Sequence, residues 1–72
     1  MEKRQKSFKF NEINFRYNLN KSMFMKITEL GEELHIRILK CTGCDQVSEK
    51  VIIKKNYTGL VYVNNNGEID LV

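Results

Sequence analysis

The chain has 72 residues, 12 of them Lys or Arg and 9 Asp or Glu, for a formal net charge of +3 at neutral pH. That length allows one domain with a thin core, and a hydrophobic content of 42% excludes a wholly disordered chain. The charge falls short of the strong basic footprint of a dedicated nucleic-acid binder, and no apolar run approaches the roughly 18 residues of a membrane-crossing helix.

Residues 1–6, Met1-Glu2-Lys3-Arg4-Gln5-Lys6, read as a charged arm, and residues 7–72 as a single β domain. No apolar segment of signal-peptide kind follows the arm. The expectation is therefore a cytoplasmic protein with reduced cysteines. Ala, Pro and Trp are absent while Lys, Asn and Ile are abundant. These are choices of an AT-rich genome and point to a bacterium or phage.

Apolar residues then alternate with polar ones, the mark of strands that bury one face. Phe8 and Phe10 form a first run; Ile13, Phe15, Tyr17 and Leu19 form a second. The apolar parity switches between them at Asn11-Glu12, which is read either as a tight turn or as a bulge in one long strand. Asn20-Lys21-Ser22 reads as a turn.

Segment 22–34 is ambiguous. Met23, Met25 and Ile27 suit a strand, whereas Met23, Ile27, Leu30 and Leu34 suit a helix. Gly31 in mid-helix would cost about 1 kcal/mol, so a hairpin with Gly31 in its connection is preferred. Leu34, Ile36 and Ile38 mark the next strand, and a turn at Cys41-Thr42-Gly43-Cys44-Asp45 follows. Val47–Lys55 and Leu60–Val63 are further strands, separated by a turn at Asn56–Gly59. Asn64-Asn65-Asn66-Gly67 is the clearest turn, and Ile69–Val72 closes the series. The fold expected is all-β: a small barrel or sandwich of five to seven short antiparallel strands joined by tight turns.

One motif carries a mechanism, the pair Cys41 and Cys44 in a Cys-x-x-Cys. Two reduced thiols flanking a turn can simply pack as small hydrophobes. They can also supply two of the four ligands of a structural zinc site, completed by a second subunit's pair, since His35 is the only histidine. Redox chemistry would need the pair at a helix N-terminus, and a disulfide would need an oxidising compartment. No cofactor is expected beyond that zinc.

A second set is basic and aromatic. Lys3, Arg4, Lys6, Lys9 and Arg16 surround Phe8, Phe10, Phe15 and Tyr17, as in β modules that stack single-stranded bases and hold phosphates. The same aromatics are also what a thin core requires. Lys50, Lys54 and Lys55, with Tyr57 nearby, suit the edges of strands, where lysine discourages aggregation. His35 falls on the polar face of its strand, and Glu29, Glu32 and Glu33 cluster at a turn without calcium-loop spacing.

No catalytic constellation is recognisable, so no enzyme is expected. Leu60-Val61-Tyr62-Val63 is apolar on both faces, which makes Leu60 and Tyr62 candidates for a protein interface. The sequence supports a small non-enzymatic protein that binds a protein partner or itself. The alternative is a nucleic-acid-binding module using Lys3, Arg4, Lys6, Lys9, Arg16 and Tyr17. No membrane partner is expected.

Overall fold

The computed structural model describes residues 5–40 and 46–72. Strands make up 63% of the described residues, and there is no helix among them. The described residues form seven strands: β1 (Lys6–Phe10), β2 (Ile13–Tyr17), β3 (Phe24–Leu30), β4 (Glu33–Leu39), β5 (Val47–Lys54), β6 (Gly59–Val63) and β7 (Ile69–Leu71). They form two sheets, ordered β1-β2-β6-β7 and β3-β4-β5. The arrangement is sandwich-like; the strands do not close into a barrel.

The turns follow from residues that tolerate their backbone. Asn11 occupies the left-handed region at φ 57°, and Asn11-Glu12 joins β1 to β2 as a two-residue hairpin in which Phe10 faces Ile13. The parity switch is therefore a turn and not a bulge. Gly31, at φ 60°, opens the equivalent connection between β3 and β4, where Leu30 faces Glu33. Segment 22–34 is thus a turn followed by a strand and its hairpin. Asn20 accepts hydrogen bonds from the Ser22 amide and hydroxyl at 3.0 Å each through Oδ1, setting the bend into β3. After β6 the Asn64 side chain accepts from the amides of Asn66 and Glu68, at 2.9 and 3.0 Å. The Asn-Gly signal thus marks a wider connection than a two-residue turn.

One pairing departs from expectation. β2 and β6 run parallel, with Ile13 beside Gly59 and Tyr17 beside Val63. All other pairings are antiparallel. Alternation reports which face a side chain occupies but not the direction of the neighbouring strand, so parallel pairing is invisible to it. Here the whole β3–β4–β5 meander is the crossover between the two parallel strands.

The inner faces of the two sheets share one core. Ile13 and Phe15 from β2 and Val61 from β6 meet Leu34 and Ile36 from β4 and Ile53 from β5, and Ile38 and Val63 are buried as well. Phe10, Met25, Ile27, Val51, Tyr57 and Ile69 pack around this cluster. At one side the sandwich is shut, where β5 comes against β7. At the other side it is open, between β1 and β3, the outer strands of their respective sheets.

Candidate functional site

Cross-strand register decides which residues stand side by side, and on the outer face of the β3–β4–β5 sheet it assembles an unusual row. Lys26 of β3 faces Arg37 of β4, and Arg37 faces Lys50 of β5. Directly opposed side chains have Cβ atoms roughly 4.5–5.5 Å apart, and like charges so placed repel. Two rows further along the same face the arrangement is conventional: Leu30, Glu33 and Lys54, with the carboxylate facing the ammonium.

Arg37 in the middle is half-buried. Its Nη2 donates to the Thr28 hydroxyl at 3.4 Å, while its Nε is buried with no hydrogen-bond partner among the described residues. A buried unpaired donor costs about 1–3 kcal/mol. A row of three cations with a partly unsatisfied guanidinium in the middle is thus an unfavourable surface for the protein alone. Replacing Lys50 with Glu is expected to stabilise the isolated protein by about 0.5 kcal/mol, through relief of repulsion and a new cross-strand pair. The gain should shrink in high salt. A urea midpoint that falls in the variant would contradict this account.

Apolar and polar side chains flank the row. On one side Phe24 faces Leu39, which faces Val47 across a bulge that sets Ser48 Oγ 3.4 Å from the Ile38 carbonyl oxygen. On the other side are Thr28, His35 and Ile52. Phe24, Leu30, Val47 and Ile52 are all exposed, Ile52 at 46%. His35 lies on this outward face as expected, with Nε2 3.1 Å from Glu33 Oε1.

A second feature is the open side of the sandwich. A groove of about 510 Å³ runs between β1 and β3, lined by Lys6, Phe8, Tyr17, Lys21, Met25 and Ile27 among others. Phe8 stacks on buried Phe15 with ring centroids 4.7 Å apart and makes an edge contact with Tyr17 at 6.1 Å. Yet Phe8 remains 40% exposed, because its other side faces the groove. The charged side chains of this lining are lysines, with no carboxylate among them.

The residues anticipated for nucleic acid do not form one patch. Lys6 and Tyr17 face each other on the groove side of the β1–β2 pair. Lys9 and Arg16 project from the opposite, outer face of that sheet. Phe15 is core, Phe10 is half-buried against it, and Lys3 and Arg4 lie outside the described residues. Leu60 and Tyr62 also lie on that outer face, half-buried, with Tyr62 between Arg16 and Asp70 in one row. Val61 and Val63 are covered by the chain's own second sheet.

Cys41 and Cys44, the candidate zinc ligands, lie outside the described residues. Among the described residues no group of three or more His, Cys, Asp or Glu stands close enough together to hold a metal ion. Lys50 and Lys54 are on β5, an outermost strand, as lysines expected at edges should be. Lys55 instead donates to Glu29 at 2.8 Å, and that hydrogen bond holds its ammonium pKa above the ordinary lysine value.

The cation row was missed in the sequence because positions 26, 37 and 50 are far apart along the chain and meet only through register. No family model, curated protein or solved structure matches this chain.

Proposed function

We propose that this chain is a small non-enzymatic binding protein of the bacterial or phage cytoplasm. It works through protein–protein contacts, with the β3–β4–β5 sheet as its docking surface for an acidic, apolar partner segment. The observation that carries the reading is the Lys26, Arg37 and Lys50 row, three cations opposed across neighbouring strands. A carboxylate laid over it would remove the repulsion and offer the guanidinium the kind of planar acceptor it binds best. The exposed Phe24, Leu30, Val47 and Ile52 around it would supply apolar contact. The partner is a different protein: two copies meeting through this face would set one cation row against another.

Nucleic acid is the second class. The groove residues Lys6, Phe8 and Tyr17 are of the right type for it. Against it, Leu39, Val47 and Ile52 beside the cation row are aliphatic and do not stack bases, which leaves only Phe24 and His35 there with rings to offer.

The test is a side-by-side titration at low salt with an array of random peptides and a set of single-stranded oligonucleotides. The retained peptides are expected to be rich in Asp and Glu interleaved with aliphatic residues, and binding should weaken in Arg37→Gln. Oligonucleotides binding more tightly than any peptide would overturn the reading.

A further inference from the structure

The two sheets differ in strand number, four against three. Counting from the shut side, β5 lies against β7, so β4 and β3 fall opposite β6 and β2. No strand among the described residues falls opposite β1. The groove occupies that place, which is why Phe8, on the inner face of β1, is left 40% exposed. Beside the groove, β3 is a seven-residue strand that, among the described residues, is paired on one side only. Its free edge presents a row of backbone amides and carbonyls, the template for pairing with another strand.

We propose that an extended segment of a partner protein, alternating apolar and acidic residues, adds to β3 as the fourth strand of the β3–β4–β5 sheet. This rests on the protein-binding reading above and names the mode of binding.

Three observations fix the chemistry of the occupant. An added strand would lie about 4.8 Å beyond β3 and send alternate side chains to opposite faces. Its inward side chains would enter the 510 Å³ groove over Phe8, Tyr17, Met25 and Ile27, so they should be apolar. Its outward side chains would stand next in line after Lys26 in the row of Lys26, Arg37 and Lys50, so the one opposite Lys26 should be a carboxylate. Lys6 and Lys21 on the groove carry the same sign and reinforce the preference. Main-chain hydrogen bonds would supply affinity and this alternation specificity, the division of labour seen in strand addition generally. A lysine on an edge strand also rejects neutral and basic strands, which makes the edge selective.

The probe is a synthetic peptide of about nine residues alternating glutamate and valine, long enough to run beside β3. A lysine-valine peptide serves as control. Binding is followed by amide shifts and amide hydrogen exchange of the full chain. The glutamate peptide is expected to bind and to slow exchange at edge amides within Phe24–Leu30. Lys26→Glu should weaken it roughly tenfold, and Lys9→Glu, on the far sheet, should leave it unchanged. Binding with shifts spread over Arg37 and Ile52 but no new protection in β3 would overturn strand addition while leaving the protein-binding reading intact. Equal binding of the lysine peptide would overturn the acidic specificity. Failure of both peptides, with oligonucleotides bound instead, would overturn strand addition and the protein-binding reading together.

Discussion

Truncating Phe15 to Ala is expected to remove a large share of the protein's stability. Phe15 is 1% exposed, sits on β2 between β1 and β6, and joins the cluster that bridges the two sheets. It is the largest fully buried side chain among the described residues and also the platform on which Phe8 stacks. A Phe→Ala change in a core costs about 3–5 kcal/mol. A domain of this size has a total stability of roughly 5–10 kcal/mol, so the loss takes a large share of it. The cavity would lie beside a groove already open to solvent, and loss of the stacked ring frees β1 from its neighbour. Urea denaturation followed by far-ultraviolet circular dichroism measures the effect. A loss below about 1 kcal/mol would mean that the sheets do not share this core.

The second large effect is expected at Gly67. It is buried, holds φ at 82°, and a Cβ built on it would lie 3.0 Å from Met23 Sδ and 3.1 Å from Ile38 Cγ2. Replacing it with Ala combines left-handed backbone strain with overpacking between the β6–β7 connection and β4, for about 2–4 kcal/mol. Gly31 provides the control. Its φ of 60° is as unfavourable for Ala, yet nothing lies within 4 Å of the place a methyl group would take there. Gly31→Ala should therefore cost only about 1 kcal/mol. Thermal melts of the two variants separate the contributions. Equal shifts would show that contact with Met23 and Ile38 adds nothing.

Much of the architecture was legible because alternation reports burial directly. Ile13 and Phe15, and Leu34, Ile36 and Ile38, occupy the core positions that their spacing implies. Asn11 and Gly31 announced two tight turns through their tolerance of positive φ. The helical pattern at Met23, Ile27, Leu30 and Leu34 was coincidental: Leu30 is exposed at the end of β3, and Leu34 is buried in β4. The parallel β2–β6 pair was not legible, since direction leaves no trace in alternation. The cation row was hidden for a related reason. Lys26 and Arg37 read as ordinary polar positions within their own strands, and their anomaly exists only across strands. The lysines Lys50, Lys54 and Lys55, grouped in the sequence, have three separate partners: the cation row, Glu33 and Glu29.

The parallel pair also constrains the order in which the molecule can assemble. Ile13 and Gly59 are partners drawn from opposite ends of the chain, whereas β3, β4 and β5 join neighbours along it. Closing a long loop costs entropy before its contacts repay it, so local pairings form ahead of distant ones. The β3–β4–β5 meander is then the early product of folding and the β1-β2-β6-β7 sheet the late one, because β2 and β6 gain a common surface to lie on only once the meander exists. Substitutions in β4 should consequently slow folding, whereas substitutions in β6 should chiefly accelerate unfolding.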